Sequence, residues 1–170
     1  MRSALLLVSC AACALGGSRP HYEYYVLTSR APSREARSPD ARTIGIDRVT
    51  LPGYLDREQI ATRTAGQHVA YSASDRWAEP LDRAFERTLR DDLASSLAGR
   101  GIRVLSPGST PTYDLSIDVT RFEQAGSDHV ELSAHWILKV DNNLLDNGET
   151  RLQIPMANTN GKNNASRRSI

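Results

Sequence analysis

YDLSIDVT, residues Tyr113 to Thr120, alternates apolar and polar side chains without a break. Successive side chains on an extended chain point to opposite faces, so Tyr113, Leu115, Ile117 and Val119 form one apolar face and Asp114, Ser116, Asp118 and Thr120 a polar one. A second run has the same period through Val130, Leu132, Ala134, Trp136 and Leu138, and the turn between the two contains Gly126. Two such runs joined by a Gly-containing turn predict a β-hairpin with one buried face.

A helix covers that face. Leu81, Phe85, Leu89, Leu93 and Leu97 recur every four residues and predict a helix over Ala78 to Ala98, with Pro80 suited to its first turn and Gly99 or Gly101 to its end. Its other sides carry Arg83, Arg87, Arg90, Asp91 and Asp92, a solvated surface. Further strands are expected at Tyr22 to Thr28, at Thr43 to Leu51 with a bulge where the apolar phase shifts from Ile46 to Val49, at Ile102 to Leu105 and at Thr150 to Ile154. Ser29 to Arg42 reads as an exposed loop. The fold class is α+β: a largely antiparallel or mixed sheet with one long helix packed on one face.

With 170 residues the chain is long enough for one domain with its own core. Its 21 basic and 20 acidic residues leave a formal charge of +1, which gives no support to nucleic-acid binding. Residues 1–13 read as a lipoprotein signal. Met1-Arg2-Ser3 is a short positive start, Ala4 to Val8 an apolar run, and Leu7 and Ser9 stand around Cys10 as the lipobox of bacterial lipoproteins requires. A small residue before the cysteine admits the chain to a peptidase cleft, and the thiol is the nucleophile that takes up lipid. Cys10 is the expected attachment site and Cys13 the alternative. The C-x-x-C spacing of this pair also occurs in redox and zinc sites, but those need a surrounding fold or two further ligands. Residues 14–21, Gly/Ser/Pro-rich, form a tether, residues 22–156 the domain, and residues 157–170 a tail expected to be disordered.

Catalysis finds no foothold. His21, His68, His129 and His135 are scattered, Ser72 and Ser74 lack a nucleophile elbow, and Asp91 and Asp92 point in different directions on the helix. No cofactor is implied. The stretch LPGYLDREQIATR, residues 51–63, leaves a strand and then mixes aromatic, apolar and Arg residues in a way that neither period explains. Tyr54, Leu55, Asp56, Arg57, Gln59 and Arg63 are the candidates for a protein-binding surface, because Tyr and Arg are enriched at interface hot spots.

These blocks, together with Tyr24-Tyr25-Val26-Leu27, Trp77-Ala78-Glu79-Pro80-Leu81, the Tyr113 run, Phe122-Glu123 and Leu132-x-Ala134-x-Trp136, resemble the PqiC-like family of ABC-type transport auxiliary lipoproteins over residues 22–156. The resemblance implies a non-enzymatic, membrane-integrity-associated transporter subunit, anchored by lipid at the outer membrane and facing the periplasm. It further implies an MCE-domain periplasmic protein and an inner-membrane transport complex as partners in moving lipid, with self-association as an open alternative. A lipoprotein that binds lipid in its own pocket is the competing reading. Family members continue into a closing amphipathic helix, and the polar run NGKNNASRRSI, residues 160–170, implies that this helix is missing here.

Overall fold

The computed structural model describes residues 20–29, 42–64, 67–126 and 128–156. The lipidation signal with Cys10 and Cys13, the tether before residue 20, most of the Ser29 to Arg42 loop and the tail at 157–170 lie outside them. In chain order the elements are β1 (Glu23–Tyr25), β2 (Arg42–Thr50), a 3-10 turn (Gly53–Leu55), β3 (Gln59–Arg63), β4 (Val69–Trp77), α1 (Leu81–Ala98), β5 (Ile102–Val104), β6 (Tyr113–Ala125), β7 (His129–Val140) and β8 (Asn143–Pro155). Among the described residues no helix is long and apolar enough to cross a membrane.

The alternating run that sets the fold class becomes β6, the centre of one eight-stranded sheet. Along its whole length β6 pairs antiparallel with β7, and β7 pairs antiparallel with β8. On its other side β2 runs parallel to the first half of β6, and β3 joins it in parallel only at Gln124 and Ala125. Beyond these, β5 lies parallel to β2, β4 antiparallel to β3, and β1 parallel to β4. The sheet is therefore mixed, and its α+β class is the expected one.

The apolar phase of β6 slips once. Leu115, Ile117 and Val119 face the helix, the register against β7 shifts between Val119 and Arg121, and Phe122 then takes over the inward position. A bulge inserts one residue and so moves every later side chain to the opposite face. Phe122 thereby meets Phe85 edge-on at 5.5 Å and stacks with Trp77 at 6.3 Å. Glu123, one residue on, points the other way.

The helix starts at Leu81, three residues later than the sequence predicts, with Pro80 (φ −53°, ψ 126°) at its N-cap. Leu81, Ala84, Phe85 and Thr88 are buried, whereas Leu89, Leu93 and Leu97 are half-buried, because the second half of α1 lies over the short β5 and the start of β2. Burying Phe85 against Val119 and Ala134 stabilises the layer by about 2–3 kcal/mol. At β2 the expected bulge is present, as a register shift between Ile46 and Arg48. Two strands, β3 and β4, were not foreseen, and β8 begins at Asn143 rather than Thr150. The β7–β8 turn carries Asp141 and Asn142 at positive φ, 49° and 62°, the conformation of a two-residue hairpin turn that Asx residues tolerate.

Candidate functional site

The chain leaves β2 at Thr50, and Pro52 directs it into the 3-10 turn, closed by the Leu55 N–H donating to the Pro52 carbonyl at 2.9 Å. Leu55 falls into the core with Ala61 and Leu81, 4 % exposed. The backbone then returns alongside the end of β4, where the Trp77 N–H donates to the Glu58 carbonyl at 2.6 Å and the Ala78 N–H to the Tyr25 carbonyl at 2.8 Å. The first bond holds the residues 51–58 loop against the turn into α1, and the second ties β1 to the same turn. The two stretches line a single open groove of about 590 Å³. Its floor is apolar, with Val49, Leu51, Leu55, Trp77 and Leu81; its rim carries Asp56, Glu58, Glu79 and Asp82 against Arg57.

The sequence-predicted surface residues divide between this rim and the structure that supports it. Asp56 and Arg57 are exposed on the rim. Arg57 lies 4.9 Å over the Tyr71 ring, and the Tyr71 hydroxyl donates to the Tyr54 carbonyl at 3.0 Å, which ties the cation to the turn below it. Gln59 is half-buried in β3, in register with Arg76. Tyr54 and Arg63 turn inward, both donating to the carboxylate of Glu123, which is 3 % exposed. Leu55 is a core residue.

Glu123 belongs to the Phe122-Glu123 block, to which the sequence alone assigns no role. In register with Glu131 on β7, it would face like charge, and Arg121 stands between the two, with Nη1 2.8 Å from Glu131 and Nε 3.7 Å from Glu123. Burial, followed by the hydrogen bond to Glu123, pushes the Tyr54 phenol up to about 12. The same carboxylate holds the Arg63 guanidinium above its ordinary value. A buried ion pair with its remaining lone pairs satisfied is a positioning device more than a source of stability. Here it locks the 3-10 turn and β3 to β6. The only sequence signal for it is the slip of apolar phase from Val119 to Phe122, which turns Glu123 away from the helix-side core.

At the opposite end of the groove, Glu79 receives both Arg87 Nη atoms at 2.6 Å, and Arg87 also reaches the Leu27 carbonyl at 3.1 Å. The Thr88 hydroxyl donates to that carbonyl as well, at 3.1 Å. This bidentate pair keeps the Glu79 carboxyl below its ordinary range. Of the five rim residues Glu79 is thus braced by a charge pair within the domain, and Asp56, Arg57, Glu58 and Asp82 remain exposed to solvent.

A second groove, of about 640 Å³, lies beside the helix where the sheet extends past it, lined by Leu27, Trp77, Phe122, Val130, Ile154 and Met156 among others. On the helix-free face, His129 contacts Asp128 at 2.8 Å and Glu131 at 3.5 Å, while His135 lies further along the same face, beside Glu149.

The profile of the family described as ABC-type transport auxiliary lipoprotein component matches residues 25–166. No curated protein sequence matches the chain. Among solved structures, an uncharacterised protein is 24% identical with a TM-score of 0.64, over 79% of this chain and 80% of its own. Protein XCC0632 from Xanthomonas campestris is 17% identical with a TM-score of 0.61, over 81% and 80%. Lipoprotein GNA1162 from Neisseria meningitidis is 13% identical with a TM-score of 0.41, over 73% and 88%. The first two share the fold of this chain.

Proposed function

We propose, from the premise that this chain belongs to the family of ABC-type transport auxiliary lipoprotein components, that it is the docking subunit of an intermembrane lipid transport system. Lipid on Cys10, or on Cys13, anchors it in the outer membrane, the tether at residues 14–21 gives it reach, and the domain faces the periplasm. A single acyl chain binds a membrane only marginally, and two or more on one cysteine make a stable anchor. The MCE-domain protein of an inner-membrane ABC-type complex is its partner, and its part in transport is recognition without chemistry.

One observation carries the reading. Residues 51–58, from the stretch that neither period explains, and residues 77–82, where β4 turns into α1, converge on one groove with an apolar floor and a rim of four carboxylates and one guanidinium. An apolar centre inside a charged rim is the anatomy of a protein–protein interface. The excess of carboxylates suits a partner segment that presents apolar residues between basic ones. Capture of the MCE-domain partner by the full chain, compared among wild type, Asp56→Lys and Arg57→Ala, tests it. A reversal of charge at Asp56 is expected to weaken capture about tenfold, and capture unaltered by both variants would remove the groove from the interface.

A second reading, a lipoprotein that carries lipid in its own pocket, is favoured by the apolar groove at Leu27, Phe122, Val130 and Ile154, whose volume of about 640 Å³ is in the range of small-molecule sites. Mass spectrometry of the protein isolated from its host membrane separates the two. Roughly one non-covalent lipid per chain supports the pocket, and a chain carrying only its covalent lipid supports docking alone.

A further inference from the structure

β8 is an edge strand. Among the described strands it pairs only with β7, and most of its 13 residues are exposed. An edge of this length presents alternate N–H and C=O groups to any strand of matching pattern, and proteins commonly blunt such edges with Lys, Pro or bulges. In β8 the register shift lies near one end, opposite Leu138 and Lys139, and Pro155 lies at the other. Asp146 to Ile154 between them is regular, and its neighbour on the inner side, β7, is in unbroken register with it from Val130 to Leu138.

We propose that this edge pairs with the same edge of a second copy, antiparallel about a two-fold axis at Thr150, so that the two sheets become one. The charge pattern selects that axis. A two-fold antiparallel pair sets residue i against residue j of the other chain with a constant even sum. Centred on Glu149 or on Arg151, the pairing sets like charges against each other. Centred on Thr150, it places Glu149 opposite Arg151 twice, Thr150 opposite Thr150, and Asn147 opposite Gln153 twice. Opposite charges, paired hydroxyls and paired amides directly across a sheet are each favourable. Leu152 falls opposite Gly148, where the Trp136 indole already covers the strand: a Cβ at Gly148 would lie 2.7 Å from Trp136 Cζ2. Leu152, 46% exposed in the single chain, therefore meets the ring of the other copy. Asp146 opposite Ile154 is the one poor match, at the ends of the paired segment. Within one chain Arg151 Nε lies 2.6 Å from Glu149 Oε1, which holds both side chains on the same face as the pairing requires.

The pairing uses a surface separate from the groove at residues 51–58 and 77–82, so the docking reading stands or falls by a different measurement. The mass of the full chain in mild detergent, followed by sedimentation over a range of concentrations, is expected to show a monomer–dimer equilibrium. Glu149→Arg and Arg151→Glu each turn two attractive pairs per dimer into repulsive ones, a loss of about tenfold or more in association. Mixing the two variants restores opposite charges in both pairs and is expected to recover a dimer that neither forms alone. No rearrangement within one chain produces that recovery, and an unchanged circular dichroism spectrum shows that each variant folds. A wild-type chain that stays monomeric, a dimer indifferent to both variants, or a mixture that fails to recover overturns the proposal. So does a transport partner that shields β8 while the chain remains single.

Discussion

The Tyr54 hydroxyl donates its hydrogen bond to the Glu123 carboxylate across 69 residues of sequence, and Arg63 donates to the other oxygen of the same group. Neither donor is therefore free to serve as a surface contact in this conformation, although both belong to the stretch whose composition resembles an interface. Tyr54→Phe removes one hydrogen bond to a charged acceptor and is expected to cost about 1.5–3 kcal/mol. Arg63→Ala leaves the buried carboxylate without its main partner and is expected to cost about 3–5 kcal/mol. Urea unfolding of the two variants checks both the sizes and their order.

The phenol of Tyr54 offers an independent signature. Its value near 12 means that the folded state keeps the proton after an ordinary tyrosine, at 10.0, has lost it. The folded state then binds more protons than the unfolded one between these values, so stability contributed by this group falls as pH rises from about 10 to about 12. The difference in tyrosinate absorbance between wild type and Tyr54→Phe is expected to show a single phenol ionising near the upper value. A difference curve centred on the ordinary value would place the hydroxyl in solvent.

Substitutions within the 51–58 loop are expected to separate support from recognition. Leu55→Ala opens a hole in the core between Ala61 and Leu81 and is expected to cost about 2–5 kcal/mol. Asp56→Lys and Arg57→Ala alter exposed side chains and are expected to change stability by about 0.5 kcal/mol or less. Thermal melts alongside the capture assay show whether any loss of partner binding is local to the rim.

On the opposite face, Asp128 first and Glu131 with it raise the pKa of His129 above its ordinary 6.5. The protonated ring stabilises the fold at low pH, and that contribution is lost as pH rises through the raised value. The lowered Asp128 and Glu131 carboxyls act in the opposite sense, losing their contribution as pH falls through their depressed values. An NMR titration is expected to place His129 above 6.5, and Asp128→Asn is expected to bring it down. An unaltered His129 in that variant would assign the shift to Glu131.

Gly148 marks where β8 passes under Trp136. A methyl group there meets ring carbons at 2.7 and 3.0 Å, so Gly148→Ala is expected to displace the indole and cost about 1–3 kcal/mol. Trp136 fluorescence reports the displacement directly.

Much of this molecule was legible because side-chain period is a local property. The alternation from Tyr113 to Val119 marked β6, the four-residue recurrence from Leu81 marked α1, and the slip from Ile46 to Val49 marked the bulge in β2. β3 and β4 were not legible. QIATR and VAYSASDRW carry few contiguous apolar residues, and they become strands by pairing with each other and with the end of β6. The first half of β8, with its asparagines and Gly148, is strand only because β7 offers a full ladder to pair with.

What the sequence determined by itself was the α+β class, the apolar face of the central hairpin, the face that the helix buries and the two segments from which the candidate groove is built. Only the tertiary structure decided that those segments meet, that Leu55, Tyr54 and Arg63 support the groove while Asp56 and Arg57 border it, and that Glu123 is the anchor beneath. The reason is physical. Period and composition report what each residue shows to its immediate neighbours along the chain. A buried carboxylate, in contrast, is stable only where distant donors converge on it, and that convergence is set by strand register across the sheet.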